Sequence, residues 1–164
     1  MRYLDKRVER ICDELYRLRI VQRIPLTDLI CKKGTYIRPE AADAATPPWT
    51  SFDSRTMPWY GPDEHYWFRT EFTVPKALDG KAMWLNVRTQ IEGDDGKNPQ
   101  FLLFVNNVPA QGMDMNHRDV LLSPKAIAGE KLVFDLQAYT CTIHNEFNLF
   151  MEIQEIDPEI EALY

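Results

Sequence analysis

Cysteine, histidine and long apolar runs are scarce in this chain, and each scarcity excludes a class of protein. The three cysteines, Cys12, Cys31 and Cys141, are far apart, and no apolar run of signal-peptide length opens the chain. We therefore expect reduced thiols in a cytoplasmic protein rather than disulfides. No CxxC pair or His/Cys cluster offers a zinc framework. No run approaches the ~18 apolar residues that a membrane-spanning helix needs.

Positive charge is also in deficit, since the formal net charge is -6 at pH 7. Nucleic acids and anionic membranes bind clustered Lys and Arg, so the composition argues against both as partners. What is present suits a folded protein. The 164 residues, 45% hydrophobic and 12% aromatic, are enough to fill the core of one ordinary domain.

Residues 2–19 predict an amphipathic helix. Apolar side chains recur at alternating steps of four and three, which makes one stripe: Leu4, Val8, Ile11, Leu15 and Leu18. A helix this short is marginal in water, so it needs a surface to pack on. We favour a sheet or a neighbouring domain as that surface, because two heptads are too few for a zipper.

Residues 20–65 show weak periodicity and many prolines, which predicts extended, irregular chain with short strands at most. Four aromatic residues are expected to pin this stretch to the core: Trp49, Phe52, Trp59 and Tyr60. After residue 65 the pattern alternates as strands do. Strands are predicted at 66–74, 81–88, 131–138 and 148–156, with a hairpin at 100–111 turning at Asn106-Asn107. Many short strands at this spacing predict an antiparallel sandwich.

The densest polar chemistry lies in the nonapeptide 111–119, Gln-Gly-Met-Asp-Met-Asn-His-Arg-Asp, directly after the predicted hairpin. Within it Asp114, Asn116, His117 and Arg118 could bind a glycan or line the rim of an active site. The alternative is that Asp114 and Asn116 hydrogen-bond turn backbone while His117 and Arg118 fasten a neighbouring domain. We favour the alternative, because Asn and Asp serve turns so often.

Three stretches together resemble a known family. They are Pro58-Trp59, the segment WFRTEFTVP at 67–75, and the segment FVNNVPAQGMDMNHR at 104–118. This combination resembles the N-terminal domain of cytosolic-type α-mannosidases of glycoside hydrolase family 38. The resemblance implies a galactose-binding-like, jelly-roll β-sandwich ahead of a catalytic domain. It also implies zinc or another divalent metal in that catalytic domain. In this chain it assigns no catalytic residue, no metal ligand and no cofactor.

The domain organisation expected from these patterns has three parts. Residues 1–20 form a helix, 21–156 form the sandwich, and 157–164 begin a linker or helix toward a catalytic domain outside the chain. Asp157 as N-cap and Pro158 at the first helical position predict that last helix.

Three functions remain open at this point. The leading one is a non-catalytic accessory domain of an α-mannosidase, whose partner is its own catalytic domain. The second is a carbohydrate-binding module for a mannose-containing glycan, with Trp59 and Tyr60 as candidate sugar platforms. Core packing is the favoured role of most of the aromatic residues. The third is a protein-interaction domain, and whether the chain forms a homo-oligomer is left open.

Overall fold

The computed structural model describes residues 2–89, 99–114, 116–142 and 146–163. The fold is mainly β, as the strand patterns predict. Three helices are present in those ranges, α1 at Arg2–Leu18, α2 at Pro39–Ala44 and α3 at Pro158–Glu161, with one 3-10 turn at Lys76–Leu78. The strands follow in chain order: β1 Ile20–Leu26, β2 Asp28–Lys33, β3 Thr50–Asp53, β4 Trp59–Tyr60, β5 His65–Thr73, β6 Met83–Arg88, β7 Gln100–Val105, β8 Val108–Met113, β9 Asp119–Ser123, β10 Lys131–Tyr139, β11 Glu146–Phe147 and β12 Phe150–Ile156.

The strands form two main antiparallel sheets and one short ribbon. The small sheet has the order β1-β12-β6-β9, the large sheet has the order β3-β2-β5-β10-β7-β8, and β4 pairs with β11. One apolar core lies between the two main sheets, because residues of both belong to a single cluster. Leu85 and Ile153 come from the small sheet, while Phe68 and Leu136 come from the large one. This confirms the predicted sandwich with an N-terminal helix, and the jelly-roll connectivity stays a prediction.

The hairpin and the C-terminal cap are confirmed in detail. Asn106 and Asn107 have φ values of 50° and 66°, the left-handed conformation that a two-residue hairpin turn requires. Asp157 caps α3 by accepting hydrogen bonds from the backbone N–H groups of Glu159 and Ile160, and Pro158 opens the helix. None of the helices in the described ranges is long and apolar enough to cross a membrane.

The interpretation of residues 20–65 as mostly irregular chain is wrong for its first part. β1 and β2 are strands of seven and six residues. Pro25 does not prevent β1 from forming because β1 is the edge strand of the small sheet, where a missing N–H leaves no ladder bond unmade. β2, in contrast, is held on both sides, by β3 and β5.

The outer face of the large sheet is covered by the segment around α2. Ala42 packs there with Trp67 and Phe104 in a second, smaller apolar cluster. Arg69 fastens the segment by donating hydrogen bonds to Asp43 of α2 at 2.7 Å and to Asp135 of β10 at 2.6 Å. Burial raises the pKa of the Asp135 carboxyl, although its ion pair with Arg69 acts in the opposite direction.

Candidate functional site

The side chain of Asp114 forms hydrogen bonds with the turn that follows β8. Its Oδ1 atom accepts hydrogen bonds from the backbone N–H of Asn116 at 2.8 Å and of His117 at 2.9 Å. The Nδ1 atom of His117 lies 3.0 Å from the same oxygen. The backbone N–H of Asn116 is the main cause of a lowered pKa for the Asp114 carboxyl, and His117 adds to it. The carboxylate therefore shapes the turn, which is what Asp does in such positions.

The other members of this loop differ in exposure. Asn116 and His117 are exposed, and the His117 side chain keeps 69% of its accessible surface. Arg118 is half-buried, and its backbone carbonyl accepts a hydrogen bond from the N–H of Val87 at 3.0 Å. The loop thus crosses from the edge of the large sheet to the edge of the small sheet, with its imidazole and amide turned to solvent.

The last residue of the nonapeptide, Asp119, anchors a buried cluster that the sequence did not reveal. Asp119 accepts hydrogen bonds from the Arg19 guanidinium at 2.8 Å and from Asn86 Nδ2 at 2.7 Å. Arg19 also donates to Glu161 of α3 at 2.8 Å, and only 4% of its side chain is exposed. These residues are distant in sequence, and the sheet brings them together: β6 pairs with β9 at Asn86 and Asp119, and β1 pairs with β12, which places Arg19 beside α3.

Trp59 lies in the core and offers no exposed face to a sugar. It is only 2% exposed, and its Nε1 donates a hydrogen bond to the carbonyl of Asn148 at 3.3 Å. Four aromatic rings surround it, with centroids 5.2–5.9 Å away: Tyr66, Phe68, Phe101 and Phe147. Core packing is therefore its role, and the prediction of Trp59 as an exposed sugar platform is wrong.

Tyr60, the next residue, is 50% exposed and lines an open cavity of about 400 Å³. Pro58 and Tyr66 contribute apolar walls. Lys33 and Glu64 also line it and form an ion pair at 2.6 Å, and this hydrogen bond raises the pKa of Lys33. The volume falls within the range of small-ligand pockets, roughly 300–1,000 Å³. An aromatic ring beside charged hydrogen-bonding groups suits a small polar ligand.

Tyr60 and the Asp114 loop lie at the same end of the sandwich. Three pairs of residues on neighbouring strands mark this end of the large sheet: His65–Tyr139, Tyr139–Gln100 and Phe101–Met113. Three strand spacings separate the two places, about 14 Å at ~4.8 Å per strand. They are therefore neighbouring features of one surface, and they do not form a single binding site.

No group of three or more His, Cys, Asp or Glu side chains comes together as a metal site within the described ranges. The acidic groups discussed above have structural partners instead. Asp114 binds its own turn, Asp119 binds Arg19, and Glu152 on β12 accepts from Arg23 at 2.7 Å. The arrangement suits holding surfaces in place better than moving protons.

The fold has counterparts among solved structures. It matches β-glucuronidase from Ruminococcus gnavus in complex with an N1-substituted uronic isofagomine, with a TM-score of 0.58 at 11% identity. The same enzyme in complex with D-glucuronic acid matches with a TM-score of 0.56 at 12% identity. Each match covers 84% of this chain and 30% of the enzyme chain. The chain thus spans under a third of the length of the structures it resembles. No protein-family model and no curated protein sequence matches it.

These comparisons correct the predicted resemblance to family 38 α-mannosidases. The structures that share the fold are β-glucuronidases, and no family model supports the mannosidase assignment. The motif at 67–75 lies on β5 and the two residues after it, and the motif at 104–118 covers the end of β7, the turn, β8 and the loop before β9. Their residue types are those that strands and turns favour in general. What the comparisons support is a β-sandwich fold that is also found within a glycosidase.

Proposed function

We propose that this chain is an accessory β-sandwich domain of a glycosidase, which supports a catalytic domain and performs no hydrolysis itself. One observation carries the proposal: 84% of the chain shares its fold with 30% of a β-glucuronidase chain. A fold that occupies a fraction of a larger glycosidase is suited to a supporting role. Fold alone does not fix function, so the contacts of the individual residues also matter.

The hydrogen-bond partners of the acidic residues support a non-catalytic role. Most glycosidases place two carboxyl groups across the scissile bond, roughly 5–9.5 Å apart, and need them available to the substrate. Here Asp114 is occupied by backbone N–H groups and Asp119 by Arg19 and Asn86. Removing either carboxylate should therefore affect local structure before it affects any chemistry.

The exposed part of the 114–118 loop is the surface we assign to contact with the neighbouring domain. Asn116 and His117 are exposed, and Asp114 accepts hydrogen bonds from the backbone N–H groups of both residues. A preorganised polar turn loses little conformational entropy on docking. In the full-length protein, His117→Ala should weaken the attachment of this domain, while Asp114→Ala should also loosen the turn.

Two measurements test the accessory role. The purified chain should release no nitrophenol from aryl glycosides, aryl β-glucuronides included. Turnover that is abolished by Asp114→Asn or Asp119→Asn, in protein that still folds, would refute the proposal. In the full-length protein, deletion of residues 1–157 should lower the melting temperature of the remaining chain. An unchanged melting temperature and activity would count equally against a supporting role.

The cavity beside Tyr60 favours a second candidate function, the binding of a sugar. The exposed phenol ring could stack on a pyranose face, and Lys33 with Glu64 could bind hydroxyl or carboxylate groups. Isothermal calorimetry with D-glucuronic acid, glucose and galactose should then show millimolar binding that Tyr60→Ala abolishes. Val108→Ala, at a residue of β8 that is 64% exposed, is the control. Binding that survives Tyr60→Ala would exclude this cavity.

A further inference from the structure

The apolar stripe of α1 is largely uncovered. Leu4 is 71% exposed, Ile11 57% and Leu18 58%, and Val8 is exposed as well. The main contacts of α1 are with α3 and β1 at its C-terminal end. A helix of 17 residues is marginal in water unless its apolar face is buried. We therefore expect a partner molecule to cover the stripe.

A second apolar surface, a groove, lies near the helix. No described residue of the chain fills it. An open cavity of about 700 Å³ lies at the base of α1, where Val21, Trp84 and Leu121 line it together with Pro158 of α3. Trp84 pairs directly with Leu121 across β6 and β9, so both project from the same face of the small sheet. Val21 and Leu121 are exposed.

We propose that the chain forms a reciprocal dimer in which α1 of each copy lies in this groove of the other. This inference goes beyond the accessory role and does not depend on it. The helix cannot easily turn back into the groove of its own chain, because Arg19 alone links α1 to β1. Its side chain is fixed by Asp119 and Glu161, and its carbonyl accepts from Asp157 N–H at 2.8 Å. Because this connection holds α1 away from the groove of its own chain, the groove is open to α1 of a second copy, and contacts of this kind occur twice in a two-fold symmetric dimer.

Interface area favours the reciprocal arrangement over a simple pair of helices. A 17-residue helix is about 25 Å long and about 11 Å wide, so it covers on the order of 300 Å² on its partner. One contact would bury about 600 Å² in total, which is the size of a crystal-packing contact. Two reciprocal contacts bury about 1,200 Å², the lower limit of stable interfaces.

The charges of the groove border and of α1 are also complementary. The segment 155–161, which borders the groove, carries four acidic residues, of which Glu155 is paired with Lys81 and Glu161 with Arg19. With these two cations counted, the border of the groove keeps a net charge of −2. The N-terminal half of α1, residues 2–10, carries four basic and two acidic residues, a net charge of +2. Opposite charges steer docking and fix its direction, and they make the association sensitive to salt. Dissociation should therefore increase between low and high ionic strength.

Sedimentation of the chain over 1–200 μM tests the proposal. We expect a reversible dimer with twice the 19.2 kDa monomer mass. Val8→Glu on the stripe and Leu121→Glu in the groove should each raise the dissociation constant at least ~100-fold, because each would bury an unpaired charge. Both residues are exposed, so the monomer should keep its melting temperature. Asp13→Ser, on the opposite face of α1, should leave dimerisation unchanged.

Cross-linking distinguishes the groove from helix–helix pairing. With the three native cysteines replaced by serine, a protein carrying Ile11→Cys is mixed with one carrying Leu121→Cys and oxidised. The proposal expects cross-links between the two proteins. Dominant cross-links within the Ile11→Cys protein alone would overturn it in favour of paired helices. A monomer at 200 μM, or a dimer unaffected by Leu121→Glu, would overturn it outright.

Discussion

Replacing Arg19 by methionine should destabilise the domain more than the loss of a surface ion pair would. The guanidinium is 4% exposed and donates hydrogen bonds to Asp119 and Glu161, both at 2.8 Å. Burial alone would lower the pKa of Arg19, but the hydrogen bonds to Glu161 and Asp119 more than offset it and raise the pKa. The charged form is therefore the stable one in the folded protein. Methionine keeps the apolar stem and removes only the charge and its donors.

The expected loss in the free energy of unfolding depends on the two carboxylates that remain, those of Asp119 and Glu161. Removing one partner of a fully buried ion pair costs about 3–5 kcal/mol, because the other charge stays buried without compensation. Asp119 and Glu161 keep 23% and 30% of their side-chain exposure, so water recovers part of that loss. We expect a loss of about 2–3 kcal/mol in the free energy of unfolding. For a domain of this size that corresponds to a melting temperature lower by about 5–10 °C.

Urea unfolding followed by circular dichroism measures this loss. Lys33→Met is the control, because Lys33 forms an ion pair with Glu64 at a similar distance, 2.6 Å, but the two side chains are 52% and 33% exposed. Exposed pairs contribute about 0–1 kcal/mol. A double-mutant cycle with Asp119→Asn should show coupling, since the two side chains touch. If Arg19→Met and Lys33→Met cost the same, the buried cluster does not hold the edge of the small sheet.

Three further predictions concern the end of the sandwich that carries the candidate residues. Trp59→Ala should cost about 3–5 kcal/mol in urea unfolding, because it leaves a cavity among four aromatic rings; a cost below 1 kcal/mol would contradict its core role. Gly61→Ala should cost about 1–3 kcal/mol, because φ is +127° and the new Cβ would lie 2.6 Å from Glu64 Cγ; an unchanged melting temperature would show that the turn adapts. In an NMR titration, Asp114 should titrate below the ordinary Asp pKa, and His117→Ala should remove only part of that depression, because the Asn116 N–H contributes most. The depressed pKa stabilises the fold above the unfolded-state pKa, and the contribution is lost as pH falls through the folded value.

Local patterns predicted most of the large sheet. β5 alternates cleanly because one of its faces packs on the main core and the other lies under the α2 segment, where Trp67 is buried and Arg69 is half-buried. The turn at Asn106-Asn107 was predictable because few residues tolerate positive φ. β1 escaped prediction because most of its apolar positions are half-buried or exposed, and only Leu26 is buried. Pro25 also mimics a break, which the edge of a sheet tolerates.

The candidate site was predictable only where its contacts are local. Asp114 bonds to residues two and three positions ahead, and an Asp in a polar turn suggests as much. Asp119 instead meets Arg19 and Asn86, partners that only the sheet topology selects. The pairing of Lys33 with Glu64 beside Tyr60 has the same origin, since β2 pairs with β5. Residue types alone gave no signal for these long-range contacts.

The small sheet joins the first strand of the chain to the last, since Ile20 pairs with Ile156 and Leu26 with Met151. During synthesis, β1 therefore has no partner strand in its sheet until β12 has left the ribosome. Contacts of such high sequence separation form slowly, because loop closure must precede them. Until then the apolar side of β1 and the stripe of α1 are exposed together on the nascent chain. Expression at lower temperature, or with a chaperone that shields N-terminal segments, should consequently raise the soluble yield.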